Sequence, residues 1–211
     1  MLEVRTDTCA RPAHCDDPAT DLSEQEIRTV IRTQIPKWVR PGAPAFLVEE
    51  MEVCAGRARI DLAVIADGLI GIEIKGPKDD VSRLPAQARA YSECFDYVVL
   101  AVHESLAAKA STLVPDWWGV VVGSRGHCRL RYRFTRRPQP NPSLNLEVRL
   151  ALLWRHEIDA LLTALVGRLP KRRATKKSVR AELLSSVEPP ILRQASLEKL
   201  RERIDWRGVP I

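Results

Sequence analysis

The chain has no long apolar run, no regular array of cysteines or histidines, and no internal repeat. A membrane-crossing helix needs about eighteen uninterrupted apolar residues, and nothing here approaches that, which excludes a helical integral membrane protein. Met1 to Val30 carry Asp7, Asp16, Asp17, Asp21, Glu24 and Glu26 and lack an apolar h-region. No secretory signal is therefore expected, and the cytoplasm is the expected compartment. The five cysteines (Cys9, Cys15, Cys54, Cys94, Cys128) are odd in number, scattered and without a C-x-x-C pair. They read as reduced thiols rather than a disulfide framework, a zinc finger or an iron–sulfur site. His14, His103, His127 and His156 show no metal-ligand spacing and read as structural or exposed.

What is present is an uneven charge. Residues 1–124 hold 13 Lys and Arg against 19 Asp and Glu, and residues 125–211 hold 20 against 8, so −6 is followed by +12 in the overall +6. A strongly basic half implies a partner of opposite sign, most often nucleic acid. The densest stretch is Lys171, Arg172, Arg173, Lys176, Lys177 and Arg180. If all six met phosphates, log affinity would fall with log salt at a slope of roughly −5. A solvated basic helix or a flexible tail explains the same letters.

The 211 residues fit one ordinary domain and an appendage. Residues 1–20 lack periodicity and read as a disordered leader. Helical spacing begins after Asp21-Leu22-Ser23 and runs through Ile27, Val30 and Ile31, stopping before Pro36. Residues 46–54 and 59–65 read as strands. A turn at Ala66-Asp67-Gly68 leads to a third strand, 69–75. A helix over 79–95, a wholly apolar strand at 97–102, a helix over 104–113 and a strand at 118–122 follow. The helical crossovers make the last three strands parallel, with right-handed connections expected. The expected class is α/β, a mixed β-sheet flanked by helices. Residues 21–137 form this domain, and the proline-rich residues 138–143 read as a linker. Residues 144–211 read as a basic helical extension, with helices over 144–166, 179–187 and 196–204.

The chemistry-bearing feature is Asp61 in one strand and Glu73-Ile74-Lys75 in the next. Alternation puts Glu73 and Lys75 on one face while both strands are otherwise apolar, so the charged groups lie near the interior. A buried carboxylate needs compensation. Lys75 can neutralise one; a hard divalent cation, with the Ile74 carbonyl as a further ligand, could neutralise a surplus. Such an ion activates water and stabilises phosphoryl charge, with Lys75 assisting, which is phosphodiester hydrolysis. A solvated face with a cross-strand salt bridge is the plainer alternative.

Asp61 followed by Glu73-Ile74-Lys75, with a helix and an apolar strand behind, resembles the PD-(D/E)XK nuclease superfamily and its restriction-endonuclease-like fold. From Val48 to Trp118 the chain is similar to a bacterial and phage family within it, through RIDLAVI, GIEIKG, LPAQARAYSECFDYVVLAV and LVPDWWGV. The proline that often precedes the first acid is absent (Arg59-Ile60-Asp61). The resemblance implies Asp61, Glu73 and Ile74 as ligands of Mg²⁺, with Mn²⁺ as substitute, and Lys75 as catalytic lysine. Gln87 and Tyr91 would share one helix face beside the site. Glu26 is the positional match for a further first-helix ligand, with Glu24 and Glu49 competing. The implied function is a metal-dependent nuclease acting on nucleic acid, expected to be DNA. The alternatives are an inactive nucleic-acid-binding protein on the same fold and a regulatory interaction protein. Residues 158–184 also resemble small helical DNA-binding extensions, although a packing helix and a basic tail would read the same way. Trp117 and Trp118 are expected to anchor the core at a strand start.

Overall fold

Apolar periodicity and turn chemistry account for the element order. The computed structural model describes residues 22–42, 44–125, 130–203 and 209–210. The leader expected over residues 1–20 lies outside the described residues. Helix α1 (Glu24–Gln34) is capped by Ser23 and buries Ile27, Val30 and Ile31. Strands β1 (Phe46–Val53), β2 (Ala58–Ile65) and β3 (Leu69–Lys75) form an antiparallel meander. Helix α2 (Leu84–Cys94) leads into β4 (Tyr97–His103), and α3 (Glu104–Ser111) into β5 (Gly119–Arg125). As the crossovers require, β3, β4 and β5 are mutually parallel.

A further strand, β6 (Leu130–Arg136), pairs antiparallel with β5. It was not expected, because alternating arginines leave it weakly apolar: Arg131 and Arg133 are exposed while Tyr132 and Phe134 are half-buried. The expected helix over 144–166 is two helices, α4 (Leu146–Ala151) and α5 (Arg155–Val166). They part at Trp154, the extended N-cap of α5, whose backbone N–H donates to Glu157. Helix α6 spans Lys176–Ser186 and α7 spans Pro189–Glu202, starting on two prolines that need no intrahelical donor. The two-residue β7 (Val209–Pro210) completes a sheet of order β6-β5-β4-β3-β2-β1-β7.

This is the expected α/β class with helices on both faces. On one face α1 covers Leu62, Val64, Ile70, Ile72, Ile74, Val99 and Ala101. On the other, α2 and α3 cover Leu69, Val98, Leu100 and Val102, and Leu150, Leu161, Leu183 and Leu200 of the later helices belong to the same continuous core. Trp118 is fully buried there, stacked 6.1 Å from Tyr91, as an anchor should be. No helix among the described residues is long and apolar enough to cross a membrane.

Residues 138–143 are not a loose linker. The Asn141 N–H donates to the Asp96 carbonyl (2.9 Å), and its side-chain amide donates to the carbonyls of Ser92 and Phe95, both at 2.7 Å. Gln139 donates to the Trp117 carbonyl (2.8 Å). The chain then enters α4, where fully buried Arg149 donates to Asp96 (2.7 Å) and to the Cys94 carbonyl (2.6 Å). From α7, Arg193 Nε reaches the other Asp96 oxygen (2.7 Å), and the Leu69 N–H also donates to the carboxylate (2.6 Å). Three prolines in a row of seven residues signal a break in regular structure, but not what that break is packed against.

Asp96→Ala strands the Arg149 charge in the core and is expected to cost about 3–5 kcal/mol. Urea unfolding followed by tryptophan fluorescence and far-UV circular dichroism should give one coincident, weakened transition. Two separate transitions in the parent protein would contradict the shared core.

Candidate functional site

The first helix sets one side of the site. Ser23 Oγ accepts from the Glu26 N–H (3.3 Å), and Glu26 Oε2 accepts from the Ser23 N–H and hydroxyl, both at 2.9 Å, which is a complete capping box. The other Glu26 oxygen pairs with Arg125 at the end of β5. Burial pushes the Glu26 carboxyl up, but Ser23 and Arg125 more than offset this and hold it below its ordinary range. Glu26 is therefore a helix-capping residue, not the expected third ligand. Glu24 pairs with Arg28 (3.2 Å) and Glu49 with Arg32 (2.5 Å).

An irregularity in the meander places Asp61. The β1–β2 ladder runs through Glu49↔Leu62, resumes at Met51↔Ile60, and skips Glu50 and Asp61 between them. Glu50 takes the left-handed conformation there (φ +53°), which is costly for a residue with a Cβ. The side-chain alternation shifts across this point, so Val48 and Met51 on β1, and Ile60 and Ala63 on β2, share one core. The Asp61 carboxylate turns onto the sheet end. There it accepts from the Ile74 N–H (2.7 Å) and pairs with Arg28 (3.2 Å). Arg28 also meets Glu50 (3.3 Å) and the Asp61 carbonyl (3.4 Å).

Glu73 sits on the α2 side and is 2% exposed. Its Oε1 accepts from Lys75 Nζ and from Gln87 Nε2, both at 2.6 Å. Its Oε2 lies 2.9 Å from the Tyr91 hydroxyl, which is also 2.7 Å from the Arg59 carbonyl. Tyrosine has one hydroxyl proton and here faces two acceptors. A proton on Glu73 would satisfy both contacts. In the same direction, burial and the neighbouring Asp61 charge push the Glu73 carboxyl above its usual range despite Lys75 and Tyr91. Burial likewise raises Asp61 against the Ile74 N–H, Arg28 and Lys75, and burial beside Glu73 raises the Tyr91 hydroxyl.

The fold thus brings together Asp61, Glu73, Lys75, Gln87 and Tyr91 and leaves Glu26 apart. Arg28 is the member that pattern reading missed; its signal was its place beside Ile27 and one turn before Ile31 on the buried side of α1. These residues do not fit the expected Mg²⁺ or Mn²⁺. Each carboxylate oxygen of Asp61 and Glu73 already faces a hydrogen-bond donor, and Arg28 and Lys75 supply the compensating charge. The Ile74 N–H positions the Asp61 carboxylate. Among the described residues, no group of three His, Cys, Asp or Glu side chains is placed to hold a metal ion. His103 caps α3, its Nδ1 taking the Ser105 N–H (3.2 Å), and His156 packs against Trp154.

The second candidate region lies at the start of α6. Lys171, Arg172, Arg173 and Lys177 are exposed. Lys176 and Arg180 are half-buried; Lys176 donates to the Ala151 carbonyl (3.2 Å), and burial with Arg180 and Arg203 nearby lowers its pKa. Four of the six expected cations are therefore presented to solvent.

Fold and site define a mixed-sheet α/β protein with an internally neutralised carboxylate cluster and a basic surface loop. The model of the family described as Bacteriophage P4 protein cII matches residues 17–207, and the chain belongs to that family. Protein cII of Enterobacteria phage P4 is 26% identical over 144 residues, which cover 67% of this chain and 53% of that protein. The chain thus spans about half the length of the curated relative it matches. A solved protein of unknown function from Silicibacter pomeroyi is 18% identical and covers 75% of this chain and 98% of its own, with a TM-score of 0.38. The family match overturns the expected membership of the PD-(D/E)XK nucleases, and with it the expected hydrolase activity. The short acidic motif resembles that superfamily because two buried carboxylates and a lysine on adjacent strands are also what an internally paired cluster requires.

A carboxyl whose folded pKa is raised adds stability below its unfolded pKa, near 4.3 for Glu, and loses it as pH rises through the folded value. The stability difference between Glu73→Gln and the parent should therefore move in favour of the variant as pH rises above roughly 4.3. Paired urea titrations across that range check this; a difference that is flat or falls with pH contradicts it. Glu26→Ala is expected to cost about 1 kcal/mol through loss of the Glu26 half of the capping box, read by the same titrations.

Proposed function

We propose that the chain is a regulatory protein that works by binding rather than by catalysis, and that its ligand is the phosphate backbone of nucleic acid, DNA being the expected form. One observation carries this reading: the placement of exposed cations at the wrong end of a helix. The N-terminus of a helix is its positive end and favours acidic residues. Helix α6 has no acidic residue in its first turn and begins instead with Lys176 and Lys177, directly after Lys171, Arg172 and Arg173. The four exposed cations form no ion pair with a described residue. Like charges gathered at a positive dipole cost stability and are relieved by an anion from outside.

The loop is held firmly enough to present them. Thr175 caps α6 by accepting from Ser178 (3.1 Å), Arg155 donates to the Ala174 carbonyl (2.7 Å), and Val179 and Leu183 are buried in the core. Contacts of this kind grip backbone phosphates and carry no base readout. The internally paired Asp61–Glu73 cluster supports the non-catalytic part of the reading, since each of its carboxylate oxygens already meets a donor of the chain.

Fluorescence anisotropy with a labelled duplex should show binding whose log affinity falls with log salt at a slope of roughly −3 to −4, as four phosphate contacts require. The K171A/R172A/R173A/K177A variant should lose most of this binding on every sequence. Affinity unchanged in that variant, or insensitive to salt, overturns the proposal. The duplex should also keep its length during incubation with Mg²⁺; shortening that Glu73→Gln abolishes would overturn the non-catalytic reading.

A further inference from the structure

The two described cysteines lie in one place, although 40 residues separate Cys54 from Cys94 in the sequence. Cys54 follows the last residue of β1, and Cys94 ends α2. Both thiols converge on one carbonyl: Cys54 Sγ is 3.3 Å and Cys94 Sγ 3.7 Å from Ala90 O. Neither is needed for the basic loop or for the Glu73 cluster. A pair of small apolar residues would fill the same space, so packing alone does not call for two thiols.

We propose that Cys54 and Cys94 are a dithiol redox site, closing to a reversible disulfide that ties the tip of the β1–β2 hairpin to the last turn of α2. The two sulfurs have distinct roles. Cys54 lies in a turn where three successive residues, Cys54, Ala55 and Gly56, are left-handed, and Ala55, Gly56 and Arg57 are exposed. The turn is closed by the Gly56 N–H to the Val53 carbonyl (3.1 Å) and by the Arg57 N–H (3.4 Å) and Nε (3.0 Å) to the Cys54 carbonyl; Cys54 itself is buried, so an oxidant reaches it through local opening of this turn. The neighbouring Cys94 thiol favours the Cys54 thiolate, and Arg57 adds to this against burial and Glu93. Cys94 is pushed the other way, by its Cys54 neighbour and by full burial. Cys54 is thus the attacking thiol and Cys94 the resolving one.

The chemistry balances with a low-molecular-weight disulfide such as oxidised glutathione. The Cys54 thiolate attacks one sulfur of the oxidant, forming a mixed disulfide and releasing one glutathione thiolate. Cys94, as thiolate, then attacks the Cys54 sulfur and releases the second. The protein loses two thiol protons and two electrons, and the oxidant leaves as two thiols.

The test is peptide mapping of the full chain after equilibration with oxidised glutathione and alkylation of the remaining thiols. A linked Cys54–Cys94 peptide pair, lost on treatment with dithiothreitol, is the expected result. In Cys94→Ser the reaction should stop with glutathione on Cys54. The proposal fails if both cysteines remain alkylatable in the parent protein, or if Cys54 is found joined to Cys9, Cys15 or Cys128.

Discussion

Asp96 joins parts of the chain that no local rule would bring together. Its carboxylate receives the Leu69 N–H at the start of β3, Arg149 from α4 and Arg193 from α7, while its carbonyl takes the Asn141 N–H from the proline-rich segment. A carboxylate that is 1% exposed cannot stay charged without such partners. Burial pushes its pKa up, and Arg149, the Leu69 N–H and Arg193 more than reverse this, so it titrates below its usual range. Because the partners come from the sheet, the connecting segment and the last helices, the C-terminal part folds onto the sheet as one core.

Glu73 and Asp61 are the counterpart with the opposite sign. They too are paired, by Lys75, Gln87, Tyr91, Arg28 and the Ile74 N–H, yet their burial outweighs those partners. The two buried acidic sites therefore respond to pH in opposite directions, Asp96 weakening the fold as pH falls and Glu73 as pH rises. In this member of the P4 cII family the carboxylate cluster is met by the protein's own donors, and the exposed charge lies on the basic loop before α6.

The strands of the meander, the parallel order of β3, β4 and β5, the Ser23 cap of α1 and the Trp118 anchor were all legible in the sequence. Each depends on period, turn residues or a short capping pattern within a few positions. That Glu73 and Lys75 share one strand face was legible as well, because strand alternation fixes it locally; Gln87 and Tyr91 came beside them only through the resemblance, and Asp61 is placed by the irregularity at Glu50. Edge strand β6 was not legible, since its alternating arginines carry no apolar signal until the sheet beside them exists.

Sequence alone determined which segments are buried, which strands run parallel and that a basic surface follows the sheet domain, because these depend on local pattern and on composition. Tertiary structure alone decided that Arg28 pairs with Asp61, that Glu26 spends its carboxylate on Ser23 and Arg125, that residues 138–143 are docked through Gln139 and Asn141, and that Cys54 and Cys94 reach one carbonyl. Each of those outcomes is a contact between groups far apart along the chain. A buried charge states that a partner must exist, but only the packed fold says which one is within reach.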